Sequence, residues 1–186
     1  MLFTLYHSIN IQRGRITIAE SVKVKIFLSK GDKSLINELV LNVLKTEYSL
    51  NVNDADIKKD CDGKLYVNAC PYNISVTHSK GNLAMAVSTK KVGIDMEVIK
   101  TDYKPRPIFG VTPTNAEDYA VLWTKAESLV KLYSEDKFDL RKISLAGAPC
   151  HDGVNLTANL YTFTEDNLVI SVATDESGYE LIYKDF

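Results

Sequence analysis

At 186 residues the chain has room for one domain, or for two small halves sharing a core. A hydrophobic share of 45% and a charged share of 25% are ordinary for a soluble globular protein. The net charge of −2 gives no reason to expect a nucleic-acid or anionic-membrane partner, and no apolar run approaches the roughly 18 residues that span a bilayer.

Met1-Leu2-Phe3-Thr4-Leu5-Tyr6-His7 lacks the basic start and long apolar run of a signal peptide, and reads as a strand. Lys23, Lys25, Lys30 and Lys33 follow as a basic cluster, which a solvated face explains. Ile36, Leu39, Val40, Val43 and Leu44 recur at helical spacing and predict an amphipathic helix from about Asp32, its N-cap, to Tyr48. Asn51 to Gly63 is polar and loop-like, with a turn at Asp62-Gly63. Apolar runs at Ile74–Thr77, Leu83–Ser88 and Val92–Glu97 read as strands, and Ser88-Thr89-Lys90-Lys91 between the last two predicts a hairpin.

Thr101 to Pro113 holds three prolines and a glycine, and reads as a loop. Thr114-Asn115-Ala116-Glu117 then matches a capping box, opening a helix to about Tyr133. Tyr119, Leu122, Trp123, Ala126, Leu129, Val130 and Tyr133 line one side of it; Thr124, Glu127 and Lys131 fall opposite. Strands are expected around Leu156–Phe163, Leu168–Thr174 and Tyr179–Tyr183. Cys61, Cys70 and Cys150 are odd in number and lack metal-ligand spacing, which implies free thiols in a reducing, cytoplasmic compartment.

One internal echo stands out. Asn82-Leu83-Ala84-Met85-Ala86-Val87-Ser88-Thr89 resembles Asn167-Leu168-Val169-Ile170-Ser171-Val172-Ala173-Thr174. Each follows a long amphipathic helix and precedes a turn and another strand. The expected fold is α/β, of the α+β kind: two similar halves, residues 1–100 and 101–186, each a long helix on a small, mainly antiparallel sheet.

Asp95 and Glu97 share one face of a strand, where like charges repel unless water or a cation relieves them. Exposure at a strand end is one reading; a hard oxygen-ligand site is the other, since Mg²⁺ takes one or two carboxylates beside waters and phosphates. Glu127 and Lys131 are spaced for a helix-surface ion pair, or for a metal and a phosphate on one polar face. His78, in Ser75-Val76-Thr77-His78-Ser79-Lys80-Gly81, is an exposed turn imidazole or part of a phosphate-binding turn.

Gly63-Lys64-Leu65-Tyr66, Ile74-Ser75-Val76-Thr77-His78-Ser79, Val92-Gly93-Ile94-Asp95-Met96-Glu97 and Trp123-Thr124-Lys125-Ala126-Glu127-Ser128-Leu129-Val130-Lys131 follow the order and approximate spacing of 4′-phosphopantetheinyl transferases. The chain resembles the larger, Sfp-like subclass over roughly Lys30 to Tyr183. The resemblance implies two α/β halves related by a pseudo-two-fold, in a cytoplasmic monomer. It implies Mg²⁺ held by Asp95, Glu97 and Glu127 against the pyrophosphate of coenzyme A, and attack by a serine of an acyl, peptidyl or aryl carrier protein. Glu127 or a metal-bound water would take the serine proton, and Lys131 would stabilise pyrophosphate oxygens. Thr77 and His78 would contact the 3′-phosphate, with Lys33 and Lys64 as further nucleotide contacts.

The chain departs from that family in several places. Ala126 stands where a lysine is usual, Leu65 stands where proline is usual, and the segment between Glu97 and Trp123 is short. These departures keep a second reading open, a non-catalytic homologue that binds coenzyme A or a carrier protein. A metal-dependent phosphohydrolase is the third.

Overall fold

The computed structural model describes residues 10–12, 15–17, 23–61, 63–134 and 138–183, so the strand expected at Met1–His7 lies outside the described residues. A short hairpin pairs β1 (Asn10–Gln12) with β2 (Arg15–Thr17). The first layered unit follows: β3 (Val24–Lys30), α1 (Ile36–Tyr48), β4 (Ile57–Lys59), β5 (Leu65–Val67), β6 (Asn73–Ser79) and β7 (Asn82–Ser88). The chain continues through β8 (Val92–Val98), α2 (Ala116–Leu132), β9 (Ile143–Ser144), β10 (Cys150–His151), β11 (Val154–Asn155), β12 (Asn159–Glu165), β13 (Leu168–Thr174) and β14 (Tyr179–Tyr183).

The architecture is mixed, with two helices on small sheets. One main sheet runs β14-β3-β7-β6 and the other β12-β13-β8, so each takes a strand from the other half of the chain. Within them β3 pairs antiparallel with β7, and β8 pairs antiparallel with β13. Both β7 and β13 are the second strand of a hairpin that follows a helix. The eight-residue echo therefore falls on an interior strand of each main sheet. The parallel pairing of β14 with β3 closes the first sheet.

Side-chain alternation divides these strands between cores. Ile26, Ala84, Ala86, Ile94, Met96, Ile170 and Val172 meet between the two sheets. On the far side of the first sheet, Phe27, Met85 and Val87 pack under Leu39, Val40, Val43 and Leu44 of α1. On the far side of the second, Ala173 packs under Ala126, Leu129 and Leu132 of α2. The layers are thus helix, sheet, sheet, helix.

Two expectations change. The hairpin predicted at Ser88–Lys91 is absent: β7 turns back on β6 instead, through Lys80 and Gly81. Those residues have φ of 40° and 78°, the doubly positive geometry of a tight two-residue turn. Residues 89–91 carry the chain across to the other sheet. Buried Glu176 pins that crossover by accepting from Ser88 Oγ (3.3 Å) and Thr89 Oγ1 (3.0 Å), with Lys90 Nζ at 3.8 Å. The first helix also starts later than expected, because Asp32 caps a single 3₁₀ turn at Lys33–Leu35 that leads into it. Cys70 and Cys150 are free thiols, and among the described residues no helix is long and apolar enough to cross a membrane.

The edge strands β6 and β8 lie side by side without a backbone ladder. Hydroxyls replace it: Ile94 N–H donates to Ser75 Oγ (3.0 Å) and Val98 N–H donates to Ser79 Oγ (3.3 Å). Helix α2 sits so close to β8 that a Cβ on Gly93 would lie 2.0 Å from the Ser128 carbonyl oxygen and 2.6 Å from the Leu132 nitrogen. Both are backbone atoms of a packed helix and cannot swing aside. Gly93→Ala is expected to cost about 3 kcal/mol or more. Urea unfolding checks it; a variant as stable as the parent would refute this close approach.

Candidate functional site

Helix α2 sets the register of the site. Asn115, not Thr114, is its N-cap: the Asn115 side chain accepts from Asp118 N–H (2.8 Å). The Asp118 carboxylate accepts in turn from the Thr114 N–H (3.1 Å) and from the Thr114 hydroxyl. The box is displaced by one residue, because Asn is as good a cap as Thr and its carbonyl oxygen reaches the N3 amide.

Thr124 does not share the polar face predicted for it. It is fully buried, with Oγ1 2.9 Å from the Ala120 carbonyl oxygen and 2.8 Å from Ser171 Oγ. Ser128 is also fully buried and donates to Lys125 O (2.8 Å). Small hydroxyl residues that bond back to their own helix bury without an unsatisfied group, and their size lets the helix reach the sheet. Ala126, where the resembled family has lysine, is fully buried beside Leu129, Leu132 and Ile143. A lysine there would have to desolvate its charge or swing out.

Glu127 and Lys131 remain on the open flank, opposite β8. Alternation places Ile94 and Met96 in the inter-sheet core and turns Asp95 the other way, toward α2. Asp95 is buried. Its Oδ1 accepts from Lys131 Nζ (2.7 Å) and from Thr77 Oγ1 (3.0 Å). Lys131 Nζ also donates to the Ile94 carbonyl (2.9 Å). Its charge is thereby fixed over the β8 edge, between carboxylate and carbonyl.

These groups adjoin a cavity of about 580 Å³. Lys33 comes to its wall from the 3₁₀ turn before α1, Lys59 and Lys64 from the β4–β5 hairpin, and Glu127 and Lys131 from α2. Four lysines face one glutamate, so the lining favours an anion. Ile36, Leu65, Val76, Val130 and Phe138 supply apolar wall. Of the residues expected at the site, Lys33, Lys64, Glu127 and Lys131 are brought together here, and Asp95 holds Lys131 from the sheet side.

The remaining three stand elsewhere. Glu97 lines a second cavity of about 430 Å³, where Lys100 Nζ contacts it at 2.9 Å and Ser79 Oγ at 3.4 Å. Thr77 is buried and engaged with Asp95, and His78, its neighbour on the opposite face of β6, is exposed. Neither lines the 580 Å³ cavity.

Among the described residues no three His, Cys, Asp or Glu side chains are gathered around a common point for a metal. Asp95 and Glu127 are the two carboxylates here that could hold a hard divalent cation. Half-burial raises the Glu127 carboxyl above its ordinary range, the neighbouring Asp95 charge raises it further, and Lys131 offsets part of this. Two carboxylates that repel across a desolvated gap are relieved by a cation, and Mg²⁺ needs only one or two of them.

Sequence reasoning missed Lys59, Ser75, Ser134 and Phe138 as lining residues. For Ser134 a signal existed: it continues the three-and-four spacing of Glu127 and Lys131 by one turn. Lys59 had none, because the hairpin that carries it read as loop. No protein-family model and no curated protein matches the chain, so the reading of the site rests on its residues and their geometry.

The Glu127 shift has a sign in stability. Below the ordinary value of 4.5 both folded and unfolded chains hold the proton. As pH rises above it the unfolded chain releases its proton first, so stability falls until the folded group has also titrated. Glu127→Gln removes this loss. In a chelator, urea midpoints should favour the variant more at pH 7 than at pH 4; an equal or reversed difference would contradict the electrostatics described.

Proposed function

We propose that this chain transfers the 4′-phosphopantetheine group of coenzyme A to a serine of an acyl or peptidyl carrier protein, releasing 3′,5′-ADP. The observation that carries the proposal is the single cavity lined by Lys33, Lys64, Glu127 and Lys131, residues from three separate segments that the motif resemblance independently assigned to coenzyme A or catalysis. The repeated order of strand, helix and hairpin supports two related halves, with the cavity where they meet.

In this reading the lysines hold the ligand's phosphates, and the apolar wall takes its organic body. The carrier serine oxygen attacks the β-phosphorus. The bond from that phosphorus to the bridging oxygen breaks, and 3′,5′-ADP leaves with the electron pair. Glu127 takes the serine proton, a task suited to a carboxylate raised toward neutrality. Lys131, oriented by Asp95 and the Ile94 carbonyl, offsets charge on the phosphoryl oxygens. Thr77 is a positioning residue, since its hydroxyl fixes Asp95. Asp95 and Glu127 would hold Mg²⁺, which would supply Lewis-acid polarisation of the phosphoryl group. Glu97 stands on the same strand face as Asp95 but lines the second cavity.

A second reading is a coenzyme A- or carrier-binding homologue without turnover. One observation favours it: the Asp95 carboxylate is already paired with Lys131 Nζ at 2.7 Å. Calorimetry separates the two, because the binder takes up coenzyme A with no transfer following.

The direct test is mass spectrometry of apo carrier proteins incubated with the chain, coenzyme A and Mg²⁺. The expected result is a gain of one phosphopantetheine mass on at least one carrier, reduced about a thousandfold or more in Glu127→Gln. A panel of carriers that all stay unmodified would reject the transferase, and an unimpaired Glu127→Gln would reject the role given to Glu127.

A further inference from the structure

Ser134 is anomalous. It is 9% exposed, it lines the 580 Å³ cavity, and its Oγ is shielded from water. Among the described residues this is the buried side-chain oxygen or nitrogen left without a hydrogen-bond partner. Leaving a hydroxyl unpaired is unfavourable, and native structures seldom tolerate it without a reason. Nor does its neighbourhood need the hydroxyl for capping: the helix closes with Tyr133 N–H donating to Leu129 O, one residue earlier.

Its place along the chain supplies the reason. Glu127, Val130 and Lys131 of α2 line the cavity, and so does Ser134, two residues past the end of the helix at Leu132. A serine hydroxyl moves between rotamers about a single bond, so Oγ can turn to the cavity when an acceptor arrives. The lining decides the kind of acceptor. With Lys33, Lys59, Lys64 and Lys131 around it, a ligand drawn into this space brings anionic oxygens.

We infer that Ser134 is a further ligand-binding residue, whose hydroxyl donates to a phosphate oxygen of the ligand held by these lysines. The inference rests on the coenzyme A reading above and extends it. It makes the unpaired hydroxyl a preformed vacancy in the hydrogen-bonding pattern, filled on binding rather than on folding.

The test is calorimetric titration of the full chain and its Ser134→Ala and Ser134→Thr variants with coenzyme A and with 3′,5′-ADP, alongside thermal unfolding without ligand. Ser134→Ala is expected to weaken both ligands about tenfold, corresponding to about 1.4 kcal/mol. Its ligand-free Tm should equal or exceed that of the parent, because an unpaired polar group has been removed. Ser134→Thr, which keeps the hydroxyl, should restore binding. Unchanged affinity in Ser134→Ala overturns the inference alone. So does weaker binding accompanied by a lowered ligand-free Tm, which marks a structural role. A loss confined to coenzyme A moves the contact off the phosphates shared with 3′,5′-ADP and overturns the assignment. A parent chain that binds neither ligand overturns the coenzyme A reading, and this inference with it.

Discussion

The structure depends on how two sheet edges are joined. Strands β6 and β8 each end a sheet, and an edge strand presents backbone groups that need partners. Here the partners are side chains. Ser75, Thr77 and Ser79 alternate along β6, so all three project from one face toward β8. The outer two accept the Ile94 and Val98 amides, and the middle one holds Asp95. Each amide left unpaired would cost about 1–3 kcal/mol, so this hydroxyl seam contributes to the fold as much as to the site. It also leaves the Ile94 carbonyl available to Lys131. A continuous backbone ladder at this seam would take up such groups and leave fewer for a cation.

Closure of this seam depends on what happens behind it. The chain passes from β7 to β8 through residues 89–91, and Glu176 draws that crossover against the link between β13 and β14. On the opposite side, the missing Cβ of Gly93 lets α2 settle onto β8. Thr124 and Ser128 have the same effect from the helix side, being small and bonded to their own backbone. Lys131 reaches Asp95 because Gly93 lets the Ser128–Leu132 turn of α2 settle directly on β8. The catalytic geometry proposed here is therefore a packing result before it is an electrostatic one.

Much of this was legible in the sequence, and the failures have physical causes. Helical spacing located α1 and α2 because apolar stripes are periodic over several turns. The echo located β7 and β13 because both are central strands, and central strands need continuous apolar runs. Ser-Thr-Lys-Lys at 88–91 looks like a turn whether or not the strands it joins pair; pairing is decided by Lys80-Gly81, a shorter connection. Spacing puts Thr124 on the side of Glu127 and Lys131, yet a hydroxyl can bond to its own helix and be buried. Lys33, Lys64, Glu127 and Lys131 were each recoverable through motif order. Lys59 was not, since only the folded chain brings the β4–β5 hairpin to that wall, and Ser134 carries only the spacing signal noted above.

Ala126 bears most directly on how this site differs from the family it resembles. In that family a lysine precedes the glutamate, whereas here the position is fully buried among Leu129, Leu132 and Ile143. Replacing an alanine in such a core by lysine would bury a flexible charged chain, and the ionised group would be strongly disfavoured there. Substituting the family residue alone would therefore not recreate a family-like cation at this point. Positive charge comes to this cavity instead from other elements, where Lys33, Lys59 and Lys64 line it together with Lys131. In the reading proposed above, the phosphate contacts would come from loops and a hairpin as well as from Lys131 on the helix that carries the proposed base. Substitutions in β4–β5 would thus alter ligand affinity while leaving the Asp95–Lys131 contact in place.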